Sequence, residues 1–139
     1  MNIDIVRLRP SDMALLDRIA PDVFDEPVRQ DRLAACLAEP GHHLWVAVAG
    51  GEVVAQAAAI VHRHPDKATE FYIDEVGVTP ALQRHGIATR RLDELFAFAS
   101  SIGCEEAWVG TEPDNVAARS LYERFGGKAG TFVMYEYEL

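Results

Sequence analysis

The chain has 139 residues, which suits one domain and leaves no room for a second. Its 49% apolar content supports a proper core, and no apolar run nears the ~20 residues that span a bilayer. A formal charge of -9 argues against nucleic acid and anionic membranes, which need clustered Lys and Arg; it serves solubility or attracts a cationic substrate.

Met1 to Pro10 carries Asp4, Arg7 and Arg9 and no apolar h-region, so no signal peptide is expected. Two cysteines, Cys36 and Cys104, fit a reducing, cytoplasmic setting without a disulfide framework. Asn2 to Leu8 reads as a first strand, and Pro10-Ser11-Asp12 opens a helix predicted to reach Ile19. Phe24-Asp25-Glu26-Pro27 is a break, because Pro27 drives Glu26 out of the α region. A second helix is predicted over Val28 to Ala38, with Leu33, Cys36 and Leu37 on one face.

Leu44 to Ala49 and Glu52 to His62 form a hairpin about Gly50-Gly51. After a turn at His64-Pro65-Asp66-Lys67, Thr69 to Val78 is a long strand, apolar on both faces as a central strand is. A loop over Thr79 to His85 leads into a helix from Gly86 to Ser101 with Ile87, Leu92, Leu95, Phe96 and Ala99 as its stripe. Glu106 to Thr111 reads as a strand, Asp114 to Phe125 as a helix stopped by Gly126-Gly127, and Thr131 to Glu138 as a final strand. The order β-α-α-β-β-β-α-β-α-β predicts an α/β domain spanning residues 1–139, with a mixed sheet flanked by helices.

The most informative stretch is Val76-Gly77-Val78-Thr79-Pro80-Ala81-Leu82-Gln83-Arg84-His85-Gly86-Ile87-Ala88. A buried strand enters a loop, and the loop enters a helix N-terminus, whose first N–H groups lack internal partners and carry the positive end of the macrodipole. That is an anion site, and Gly86 permits close backbone approach. Arg84, His85, Arg90 and Arg91 add a basic patch to an acidic chain, although Arg90 and Arg91 can equally pair with Asp93 and Glu94 or solvate the helix. A lone Gly86 matches neither a Walker A loop nor a Rossmann fingerprint.

Gln83-Arg84-His85-Gly86-Ile87-Ala88 resembles the Gln/Arg-x-x-Gly-x-Gly/Ala motif of the GNAT acetyltransferases. The resemblance implies a mostly antiparallel, twisted GNAT sheet with about four helices, and acetyl-CoA as cosubstrate. It implies that Gln83, Arg84, His85, Gly86, Ile87, Ala88 and Thr89 hold the pyrophosphate, while Val76, Gly77 and Val78 splay from the neighbouring strand and pair with the pantetheine arm. Asn115-Val116-Ala117-Ala118-Arg119-Ser120-Leu121-Tyr122-Glu123-Arg124-Phe125-Gly126 resembles a second pattern of that family, Asn-x-x-Ala-x-x-Leu-Tyr-x-x-x-Gly. It implies that Asn115 and Ala118 lie against the cofactor and Tyr122 beside its sulfur; on spacing alone, Tyr122 reads as a core residue. Two departures stand out: Ala88, where many members have glycine, and Gly127, where phenylalanine is frequent.

Acetyl transfer needs a neutral amine, and an ammonium of pKa about 10 must lose a proton first. Asp74 and Glu75 precede the cofactor segment, and strand alternation sends them to opposite faces unless a bulge intervenes. Tyr72-Ile73-Asp74-Glu75-Val76-Gly77-Val78 resembles the aminoglycoside 3-N-acetyltransferase branch, which implies Glu75 as the base, against the plainer reading of a salt bridge. An amide near Val76 is expected to hold the oxyanion, and Tyr122 to protonate the thiolate. Cys36 and Cys104 read as small buried hydrophobes rather than nucleophiles.

His42-His43 and His62-x-His64 come without a cysteine pair or a His-Glu-x-x-His frame, so no metal is expected; His62 or His64 could line the acceptor site. The acceptor is expected to be a small-molecule amine, with Asp25, Glu26, Asp74, Glu112 and Glu136 as substrate residues and Asp114 and Glu138 adding charge. Asp25 and Glu26 lie where a short acidic stretch resembles the aminoglycoside branch. The alternatives are a protein N-terminus, lysine or metabolite amine as acceptor, or an acetyl-CoA sensor without turnover. Phe132 to Tyr137 could pair between copies, so a homodimer is possible on this reading.

Overall fold

The computed structural model describes residues 2–139. A five-stranded sheet in the order β1-β2-β3-β4-β5 organises the chain, with β1 at Asp4–Arg7, β2 at His42–Ala49, β3 at Glu52–His62, β4 at Glu70–Val78 and β5 at Glu106–Val109. The first three pairings are antiparallel and β4 pairs with β5 in parallel. A parallel pair needs a crossover, and α2, Ile87–Ser101, supplies it. The α-helices are α1 (Gln30–Ala38), α2 and α3 (Val116–Arg124), with 3-10 segments at Pro10–Asp17 and Pro80–Leu82. Among the described residues, no helix is long and apolar enough to cross a membrane.

Two apolar clusters hold the layers together. One packs Leu16 and Leu33 onto Val46, Val53 and Ala55 of the sheet. The other seats Leu92, Leu95 and Ala99 of α2 on Trp45, Phe71 and Ile73. Each large side chain so buried contributes roughly 1.5–3 kcal/mol of transfer free energy.

Besides shifts at the ends of α1, α3 and β1, three differences matter. The first helix is a 3-10 segment that stops at Asp17. Beyond it the backbone is captured by β3: Val53 N donates to Arg18 O at 2.9 Å and Ala20 N to Val53 O at 2.8 Å. The strand predicted over Glu106 to Thr111 ends at Val109. The final strand, Thr131 to Glu138, does not form: among the described residues, no strand lies alongside 131–138 to complete its backbone hydrogen bonds.

Candidate active site

β4 is paired on both edges only from Glu70 to Ile73, where β5 runs against it. From Asp74 to Val78 it keeps β3 on one edge and, among the described residues, has no strand on the other. The sheet therefore opens at the end of β4 that leads into α2. Thr79 N, donating to Val54 O at 2.8 Å, pins that end to β3.

The turn that follows is shaped by backbone conformation. Gly86 takes φ 76° as the N-cap of α2, and Arg84 takes φ 67°, a left-handed conformation that costs a non-glycine residue about 1–2 kcal/mol. Strain of this size clusters at ligand clamps. The N–H groups of Arg84, His85, Gly86, Ile87, Ala88 and Thr89 find no acceptor among the described residues. The side chains of Gln83, Arg84, His85 and Thr89 are exposed, whereas Ile87 anchors the turn in the core.

Arg90 and Arg91 do not pair with Asp93 and Glu94. Arg90 Nη2 donates to Ile3 O at 2.9 Å. Arg91 is only 3% exposed, and its Nη1 donates to the carbonyl oxygen of Gly77 at 2.9 Å, so this cation ties α2 to β4 instead of solvating a helix face. Burial lowers its pKa to about 10.

A register shift between Ala58 and Ala59 of β3 leaves Asp74 without a partner, since Ile73 faces Ala59 and Glu75 faces Ala58. At such a shift strict alternation lapses, so Asp74 and Glu75 are not bound to opposite faces. Both carboxylates act on the Cys36 thiol of α1, which burial first and then Asp74 and Glu75 push up. Burial, reinforced by Asp25 and Asp74, raises the Glu75 carboxyl above its usual range. Asp74 is raised by burial as well. Asp25 and Asp74 are thus near enough to Glu75 to raise it, at the end of β4 where the sheet opens.

Residues 20–28 lie against this end of β4. Their course is set by Val23, whose carbonyl oxygen accepts from Gln56 Nε2 at 3.4 Å and rests against Gly77, leaving no room there for a Cβ. A hollow of about 280 Å³ is lined by this segment, with Asp25 and Glu26 at its rim. Gln56 and Arg91 were missed as site residues by sequence reasoning. Gln56 had a signal, being the one polar residue in the apolar run Val53 to Ala59.

On α3, Asn115 is the N-cap: its Oδ1 accepts from Ala118 N at 3.1 Å. Tyr122 is half-buried in the α2 cluster. Burial pushes its phenol up while nearby Arg91 pulls it down. Arg91, held by Gly77 O, is thus near enough for its charge to act on the Tyr122 phenol.

The remaining candidates do not join this group. Glu112 is exposed in the β5–α3 loop, and Glu136 is exposed in a segment that makes no backbone hydrogen bond to the domain. His62 and His64 sit at the opposite end of β4, where His64 Nε2 lies 3.4 Å from Glu70 Oε2, so they do not line the opening. Together with Glu70 they form a cluster of potential metal-ligand side chains; His64 and Trp108 hold Glu70 below its usual range.

Known proteins share this fold. The family model described as Acetyltransferase (GNAT) family matches residues 12–127. None of the curated proteins matches the chain. An aminoglycoside acetyltransferase from an uncultured soil metagenomic sample, solved in complex with sisomicin, superposes with a TM-score of 0.80 at 19% identity over 99% of this chain and 95% of that one. The aminoglycoside acetyltransferase AAC(6')-Iy in complex with a CoA-linked bisubstrate analogue gives 0.78 at 16% identity over 100% and 99%. A transcriptional regulator from Bacillus halodurans gives 0.81 at 18% identity over 99% and 100%. At these identities the likeness speaks for the fold.

Proposed function

The chain belongs to the Acetyltransferase (GNAT) family, and from that premise we propose that it acetylates a primary amine of a polycationic small molecule, an aminoglycoside being the acceptor class, by direct attack on acetyl-CoA. One juxtaposition carries the reading: backbone donors without acceptors in the turn that follows the open end of β4, and the acids Asp74 and Glu75 within that end, with Asp25 acting on Glu75.

The chain's own residues fit both substrates. The amides of Arg84 to Thr89 suit a diphosphate, because they present aligned donors at a helix N-terminus. The unpaired edge of β4 at Val76, Gly77 and Val78 suits an extended arm carrying amide groups. Asn115 spends its Oδ1 on Ala118 N and keeps its NH2 group to donate. When bound, acetyl-CoA supplies an activated acyl carbon and a sulfur leaving group.

Glu75 takes the proton from the acceptor ammonium, and its raised pKa brings it nearer to matching a base that works at neutral pH. Tyr122, kept protonated by burial, returns a proton to the departing sulfur. Asp25, Glu26 and Asp74 attract the other cationic groups of the acceptor, aided by the -9 charge of the chain. A neighbour of the same fold solved with sisomicin supports this acceptor class.

Thiol release measured against kanamycin-like, apramycin-like, polyamine and peptide acceptors tests the proposal. Turnover is expected with an aminoglycoside and not with the peptide. Preference for the peptide moves the chain to protein acetylation. Acetyl-CoA binding by calorimetry with no turnover on any amine makes it a sensor.

A further inference from the structure

His62 closes β3 and Glu70 opens β4, and the two are Cα partners in the antiparallel ladder. Facing residues of such a pair share one face of the sheet, with Cβ atoms about 4.5–5.5 Å apart. An extended chain returns His64 to the face of His62. Arg63, between them, goes to the other side, where it lines a hollow with His43 and Phe98. The imidazoles of His62 and His64 lie side by side, with ring centroids 4.0 Å apart. One ligand atom each from His62, His64 and Glu70 come within 4.8 Å of one another.

Two features of this cluster call for a cation. His64 Nε2 is buried and makes no hydrogen bond among the described residues. It lies 3.4 Å from Glu70 Oε2 without the alignment of a hydrogen bond. A buried nitrogen left without a partner carries a cost that a bound metal removes. Glu70, in turn, is held in place. Its Oε2 accepts from Trp108 Nε1 at 3.3 Å, and the Trp108 ring is stacked on Tyr72 with centroids 3.9 Å apart. Outer hydrogen bonds of this kind steady the carboxylates that ligate metals.

We propose that His62, His64 and Glu70 bind a divalent first-row transition cation, with Zn2+ as the occupant. Two imidazoles and a carboxylate form the mixed nitrogen and oxygen set that suits zinc, whereas Mg2+ and Ca2+ favour oxygen alone. Tetrahedral zinc bonds of about 2.0–2.2 Å place ligand atoms roughly 3.3–3.5 Å apart. The separation of His64 Nε2 and Glu70 Oε2 already matches. His62 is exposed at the end of its strand and has room to swing in, and water takes the fourth position. The spacing of His62 and His64 in the sequence gives no metal frame, because the third ligand comes from the next strand and is brought in by the ladder. The ion clips the turn between β3 and β4 at the end of β4 away from Glu75, so this site stands apart from acetyl transfer.

Calorimetry with zinc chloride on the untagged, metal-stripped chain tests this. One equivalent is expected to bind. Zn2+, unlike Mg2+, is expected to raise Tm, because only the folded chain assembles the site. His64→Ala and Glu70→Gln should each weaken binding about tenfold or more, while His42→Ala, on β2, leaves it unchanged. Glu70→Gln keeps the shape of the side chain and can still accept from Trp108, so its loss of affinity reports the carboxylate charge. In the parent chain, Zn2+ should shift the ring NMR signals of His62 and His64 and leave those of His42, His43 and His85 in place, a readout that needs no variant to fold. The proposal is overturned by an absence of binding, by an affinity that neither substitution lowers, or by shifts at the other histidines instead.

Discussion

The carbonyl oxygen of Val23 occupies the space that a side chain on Gly77 would need. The loop bearing Asp25 and the open end of β4 are thereby fitted together through bare backbone. Gly77→Ala forces the two apart and is expected to cost roughly 1–3 kcal/mol, as overpacking does. The loss should appear as a lower Tm together with a fall in kcat/KM, because Asp25 moves with the loop, away from Glu75. An unchanged Tm would mean that the loop yields freely.

Gly86 presents the opposite case. No atom lies within 4 Å of a Cβ built there, yet its φ is 76°. Gly86→Ala should therefore destabilise only through backbone strain, by about 1–2 kcal/mol. Its larger effect should be on acetyl-CoA, with calorimetry showing at least tenfold weaker binding as the turn relaxes and its amides lose alignment. Binding as tight as in the parent chain would detach this turn from the cofactor.

Glu75→Gln should lower turnover about 10²-fold or more at neutral pH and less at alkaline pH, where the acceptor amine is already neutral. A defect of equal size at every pH removes Glu75 as the base. Stability should move the other way. The folded carboxyl titrates above its unfolded value, because of burial, Asp25 and Asp74. The stability of its neutral form is thus complete below the unfolded pKa and is lost as pH rises through the folded one. At pH 7 the glutamine should raise Tm slightly, and the gain should shrink as acid protonates Glu75 in the parent chain.

Tyr122→Phe keeps the ring that packs against the α2 cluster and removes only the hydroxyl. Turnover is expected to fall about tenfold or more, with acetyl-CoA affinity and Tm close to those of the parent chain. Unaltered turnover leaves Tyr122 with packing alone.

Much of this molecule could be read from local pattern. The spacing of Leu92, Leu95 and Ala99 marked α2, Gly50-Gly51 marked the β2–β3 hairpin, and the run from Val76 to Ala88 marked the strand–turn–helix unit. What escaped depends on partners distant in sequence. Arg91 looks like a surface residue beside Asp93 and Glu94, and only the packing of α2 on β4 reveals Gly77 O as its acceptor. Val23 meets Gly77 across more than fifty intervening residues, which no periodicity records. Strand-forming side chains at 131–138 announce a preference but cannot supply the edge that satisfies it. Asp25, Asp74 and Glu75 were half legible: each was named, but only a register shift frees Asp74 and Glu75 from opposite faces.

That shift at Asp74 gives β4 something like a reading frame. Side chains downstream of it keep their faces only while the extra residue is present; deleting one residue there would turn Glu75, Val76 and Val78 over together. Substitutions at this spot can drift, whereas insertions and deletions cannot. The turn at Pro65 to Lys67, where no strand pairing has to be kept, should tolerate changes of length better.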